Sequence, residues 1–123
     1  PVGIFVKNQS KPNQFTHITI PILSVSDSFL FIYAQKFIKN NNSKITILDI
    51  AGIINQHPEM KETLGNIEKN FPGSINFYTD KKVSKSYISS QDLILISVDG
   101  WKDQIEEKSN WLFKASSTLI IKP

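Results

Sequence analysis

Two hydrophobic periods alternate along this chain. Residues 2–6, 17–24, 44–50, 75–79, 93–98 and 117–121 are runs rich in β-branched and aliphatic side chains, and each reads as a strand. Between them the period lengthens to that of a helix. Leu30, Tyr33, Ala34, Phe37 and Ile38 recur at helical spacing behind Ser26-Asp27-Ser28, which are good N-cap residues, and Asn40-Asn41-Asn42 stops that helix. His57-Pro58 opens another, with Met60, Leu64, Ile67 and Phe71 on its buried side and Pro72-Gly73 as its end. Residues 84–90 predict one or two helical turns, and Trp101, Ile105, Leu112 and Phe113 predict a last helix.

Strands that alternate with helices predict an α/β fold with three layers, a parallel sheet of about five strands carrying helices on both faces. Right-handed crossovers leave few topologies, and a flavodoxin-like strand order is expected. The strand at residues 2–6 is then surplus. It is expected to pair with a sheet edge, within one molecule or across a homodimer, because an exposed edge invites pairing. The polar run with Pro12 behind it can only be a loop or linker. The organisation is thus a strand and linker over residues 1–14 and an α/β domain over residues 15–123. Pro21 is the awkward residue of this scheme, since proline cannot donate to a central ladder. Its nitrogen must face no neighbour, or the strand must bend there.

With 123 residues the chain fits one domain with a real core. It has no cysteine, which excludes disulfides and a thiolate metal site. No apolar run reaches the length that crosses a bilayer, and no signal peptide is visible. The net charge of +3 comes wholly from lysine, for the sequence has no arginine. Those lysines are interleaved with acids rather than gathered in a basic stripe, so nucleic acid is not an expected partner. The numbering begins at Pro1 rather than at methionine, and the chain is expected to be a piece of a longer one.

Candidate chemistry gathers where strands end. The run from Asp92 to Gly100 reads as a buried strand stopping at a small polar turn, and in open α/β sheets the ligand crevice lies at that end. The residues expected to border the crevice are Ser24, Asp27, Asp49, Ser97, Asp99 and Gly100. Asp27 also reads as an N-cap and Asp92 as a turn residue, which leaves Asp49 and Asp99 as the acids best placed to touch a ligand. His17 and His57 have no second ligand at metal spacing. Ser24, Ser26 and Ser97 have no histidine placed to serve them, and no Gly-x-Ser-x-Gly elbow occurs. No catalytic residue is expected, and no metal. Trp101 and Trp111 lie ten positions apart in the last predicted helix and so project in similar directions, to pack on the sheet or to line a surface.

These pieces together resemble a family. Val2-Gly3-Ile4-Phe5-Val6, the helix start from Ser26 to Ala34, the Lys44–Asp49 strand, Asp92–Ser97 and the closing Thr118–Pro123 follow the order of the cytoplasmic C-terminal region of monovalent cation:proton antiporters, including the plant cation/proton exchanger branch. The resemblance implies a universal-stress-protein-like fold and a non-catalytic regulatory role on the cytoplasmic face of the plasma membrane. Its partner would be the membrane transport domain of the same polypeptide. The chain departs from that pattern at Lys7, where an acid is usual. The ATP-binding members have a glycine-rich loop after the fourth strand and an acid at the end of the first. Here Gly100-Trp101-Lys102-Asp103 has no second glycine, no glycine precedes Ser116-Ser117, and Ser24 stands in the acid's place. No ATP cofactor is therefore expected by that route. The alternative is a freestanding nucleotide-binding stress protein, and an enzyme of flavodoxin-like or hydrolase type has no site here.

Overall fold

Isoleucine-rich segments pair into one sheet in the computed structural model, which describes residues 2–8, 15–78, 83–106 and 116–123. The strands are β1 (Val2–Val6), β2 (His17–Pro21), β3 (Lys44–Leu48), β4 (Ile75–Phe77), β5 (Leu93–Ser97) and β6 (Ser117–Lys122). The helices are α1 (Leu30–Asn41), α2 (Pro58–Asn70), α3 (Lys85–Ser89) and α4 (Val98–Glu106). The order across the sheet is β1-β6-β5-β2-β3-β4, with β1 antiparallel to β6 and every other pair parallel. The parallel α/β class is thus the one expected. Counting the five parallel strands along the chain, their order from the β4 edge is 3-2-1-4-5. That differs from the flavodoxin order 2-1-3-4-5, because β3 and β4 both lie on the same side of β2.

Alternation along each strand sorts the apolar side chains into two clusters, one on each face. Ile18, Ile20, Ile45, Ile47, Leu93, Leu95 and Ile121 pack with α1 and α2 residues such as Leu30, Ala34, Met60 and Leu64. Ile94, Ile96 and Ile120 pack with Ile88 of α3, and half-buried Tyr87 and Trp101 close over them. β5 is buried at all five positions, as a central parallel strand covered on both sides must be.

Pro21 ends β2. Ile22 donates its N–H to the Leu48 carbonyl (2.9 Å), so the proline nitrogen one residue earlier faces β5. A proline there has no N–H for the ladder, and the registered pairs between β2 and β5 end at Thr19 and Ile94 although β5 runs on to Ser97.

Three local expectations are corrected. The Ser26-Asp27-Ser28 segment does not start α1 directly but lies in a 3₁₀ turn over Val25–Phe29, and α1 begins at Leu30. The strand expected over residues 93–98 stops at Ser97, and Val98-Asp99-Gly100 is the first turn of α4 rather than a polar turn. The buried side of α1 includes Phe31, at 1% exposure, beside Leu30, Ala34 and Ile38. Phe31 shares a groove with Met60 and Thr63 of α2, so α1 is covered by its neighbouring helix as well as by the sheet. Trp111, Leu112 and Phe113 lie outside the described residues, as do Thr79 and residues 9–14 of the linker.

At the opposite end of the sheet Asp92 ties the start of β5 to the start of β2. Its Oδ2 accepts from the Thr16 backbone N–H (3.0 Å), the Thr16 hydroxyl (2.6 Å) and the His17 backbone N–H (2.9 Å), with His17 Nδ1 at 3.8 Å. Burial by itself would raise this carboxyl, but the Thr16 and His17 donors together outweigh it and hold it below the ordinary aspartate value of 3.8. A carboxyl with a depressed folded-state pKa stabilises the fold fully above its unfolded value, and that contribution fades as pH falls through the folded value. Wild-type stability is therefore expected to decline below about pH 4 more steeply than that of Asp92→Asn. Urea midpoints at a series of pH values read this directly; parallel curves for the two proteins would show that the Asp92 cluster carries no linked stability.

Candidate functional site

The sheet reverses its winding between β2 and β5. The chain leaves β2 toward β3 and β4, and it leaves β5 toward β6, so the ends of β2 and β5 lie side by side where a crevice forms in open α/β sheets. Here the crevice has a volume of about 280 Å³ and is bordered by Ser26, Asp27, Phe29, Ser97, Asp99, Lys102 and Lys122.

The floor of this crevice is a closed hydrogen-bond unit. Asp27 is 2% exposed although it sits in a surface turn, and its carboxylate is fully engaged. Oδ2 accepts from the backbone N–H groups of Leu23 (2.8 Å) and Ser24 (3.1 Å), just past the end of β2. Oδ1 accepts from the Ser97 hydroxyl at the end of β5 (2.6 Å). Ser97 Oγ in turn accepts from the Gly100 N–H (3.0 Å), a donor of the first turn of α4 that has no carbonyl four residues back. One carboxylate and one hydroxyl thereby occupy the N–H groups of Leu23 and Ser24 in the β2 loop and of Gly100 in the first turn of α4.

Gly100 serves this closure through its size. A Cβ added there would lie 3.1 Å from Ser97 Oγ, 3.2 Å from an Ile96 side-chain carbon and 3.2 Å from Leu23 Cδ1. The glycine lets α4 begin hard against the ends of β2 and β5, which is a packing role and not that of a phosphate loop.

Of the six residues expected at the crevice, Asp27, Ser97 and Gly100 form the closed unit, and Asp99 is exposed at the rim. Ser24 enters through its backbone, while its exposed hydroxyl lies 2.6 Å from that of Ser26. Asp49 is not part of this crevice. Its two oxygens accept from the N–H groups of Ile53 (2.8 Å) and Ile54 (2.9 Å), capping the 3₁₀ turn over Ile54–Gln56. Asp49 and Asp99 thus border different cavities and form no dyad at the crevice. Among the described residues no group of three or more His, Asp or Glu is gathered in a way that could hold a metal ion.

Asp49 instead borders a larger cavity that the sequence reading missed, about 540 Å³ in volume, between α2 and the β4 edge. Ile47, Leu64, Ile75, Phe77 and Tyr78 supply its apolar lining, and Asn55, Lys61 and Glu68 its polar rim. That size is typical of a small-molecule pocket. Gly65 contributes to it from the middle of α2, where an added Cβ would meet nothing within 4 Å. Glu68 accepts from Gly73 N–H (2.6 Å) and Ile75 N–H (2.9 Å), and these donors hold its carboxyl below the ordinary range. The available sequence signals were a glycine at an interior helix position and a phenylalanine on a strand of three residues, which the fold leaves 54% exposed.

No helix among the described residues is long and apolar enough to cross a membrane. Comparison with protein-family models, with curated proteins and with solved structures finds no match to this chain.

Proposed function

We propose that this chain is a non-catalytic regulatory domain of the kind found on the cytoplasmic side of monovalent cation:proton antiporters, with a universal-stress-protein-like fold. It would act on exchange by binding an effector or partner with different affinity in two states of the transporter. The observation that carries the non-catalytic, non-nucleotide part of this reading is the capture of the switch-point donors by Asp27 and Ser97. A phosphate at that crevice needs free N–H groups, and it would meet a carboxylate in their place. The antiporter part rests on the resemblance of the opening strand, the first helix start and the last two strands. The cavity beside β4 offers an effector site distinct from the switch point.

The second reading is a freestanding nucleotide-binding protein. Lys102 and Lys122 at the rim of the switch-point crevice favour it, since both could face an anion. Titration calorimetry with ATP, AMP and cyclic dinucleotides separates the two. The regulatory reading expects no micromolar binding; binding that Asp99→Ala or Lys102→Ala abolishes would overturn it in favour of the nucleotide reading. The coding sequence ahead of Pro1 is a second check: a series of apolar segments of bilayer-spanning length is expected there, and a start codon in their place would remove the transporter.

A further inference from the structure

We propose that β1 pairs antiparallel with β1 of a second copy, around a two-fold axis at Ile4, so that two six-stranded sheets become one. β1 covers the edge of β6 with one side of its backbone, and among the described residues its other side has no partner strand. Protein edges of this kind are normally blunted by a charge, a proline, a bulge or a very short strand. β1 has none of these over its five residues, Val2-Gly3-Ile4-Phe5-Val6, and the side chains stand open, with Val2 at 64% and Ile4 at 57% exposure. The far edge of the sheet is managed differently, since β4 spans only three residues.

A second copy is the occupant because the strand complements itself. Antiparallel pairing centred on Ile4 sets Val2 against Val6 of the second copy and Gly3 against its Phe5. The bulky ring then meets the one residue without a side chain, and a β-branched residue meets a β-branched residue. Val2, Ile4 and Val6 share a face, for they register with Lys122, Ile120 and Thr118, and Ile120 belongs to the cluster under α3 and α4. The two-fold doubles this exposed apolar stripe into a shared one. Lys7, the first charge after β1, lies at opposite ends of the joint strand pair in the two copies, so no like charges are opposed. Phe5 already stands on Phe15, edge to face at 5.8 Å between ring centres, which holds β1 in place before a second copy arrives.

Sedimentation velocity over a wide range of concentration tests this on the whole chain. Wild type is expected to shift reversibly from monomer to dimer. Ile4→Lys sets two ammonium groups against each other on the axis, and is expected to weaken association about tenfold or more. Ile4→Glu should do the same. An equal mixture of the two variants should recover the dimer, because only the register centred on Ile4 brings those side chains face to face. Far-UV circular dichroism and the thermal midpoint, measured at a dilution where wild type is monomeric, should match wild type for both, given the exposure of Ile4. A wild type that stays monomeric throughout, or an Ile4→Lys protein that associates as wild type does, overturns the proposal. Failure of the mixture to recover overturns the register, and with it the two-fold axis at Ile4.

Discussion

Asp27→Ala is expected to lose about 3 to 5 kcal/mol of stability, because it strands three donors at once in a buried position. The Leu23 and Ser24 N–H groups and the Ser97 hydroxyl all point at this carboxylate, and Asp27 itself is 2% exposed. A hydrogen bond to a charged acceptor contributes about 1.5 to 3 kcal/mol, and an orphaned buried donor costs a similar amount. The effects of neighbours in one unit do not add fully, which keeps the total below the simple sum. A domain of this size has only about 5 to 15 kcal/mol in hand, so the variant should unfold at a much lower urea concentration. Asp27→Asn preserves the shape but offers an amide where one pair of donors needs an acceptor, and should recover only part of the loss. Ser97→Ala removes one bond and leaves the Gly100 N–H unpaired, for a loss of about 1 to 3 kcal/mol. A midpoint for Asp27→Ala within about 1 kcal/mol of wild type would mean that the donors find water, and the switch point would then be open to a ligand after all.

Phe31→Ala should cost a comparable amount, about 3 to 5 kcal/mol, by a different physical route. The ring is 1% exposed and is the bulkiest of the fully buried side chains. Truncation removes its transfer energy and leaves a void between α1 and α2 that a packed core refills only in part. Phe37 on the same helix is half-buried against Phe15, and Phe37→Ala should lose clearly less. Urea titrations of the two variants should rank them in that order with an unchanged slope. The reverse ranking would put the weight of α1 on its Phe15–Phe37 contact and not on its junction with α2.

The difference between these two phenylalanines shows how far a periodic pattern reaches. Tyr33, Ala34, Phe37 and Ile38 fall on the stripe that a helix turns toward a sheet, and a single period finds them. Phe31 lies at the edge of the same stripe, three residues before Ala34 and seven before Ile38, and the groove it shares with α2 closes that edge down to 1% exposure. Asp27 is a similar case. Its place in a turn after a strand is legible as a cap, and it does take the Ser24 N–H. That it also takes the hydroxyl of Ser97, 70 residues along the chain, depends on β2 and β5 being neighbours. Asp49 reads from the sequence as the twin of Asp99, one acid at the end of each strand. The fold separates them, since β3 lies on the far side of β2 from β5 and its acid is spent on the turn that precedes α2.

The sequence by itself determined the alternation of strands and helices, the parallel α/β class and the surplus of the first strand. Those follow from local periods and from proline, glycine and cap residues, whose effects act within a few positions. It also determined that the end of β5 would have no glycine-rich loop. The tertiary structure alone decided the order of the strands and the place of Pro21 beyond the last pair with β5. It also decided which groups meet at the switch point and that a larger cavity opens beside β4. Each of these depends on contacts between segments far apart in the chain, and such contacts are selected by the joint packing of both faces of the sheet rather than by any one stretch of residues.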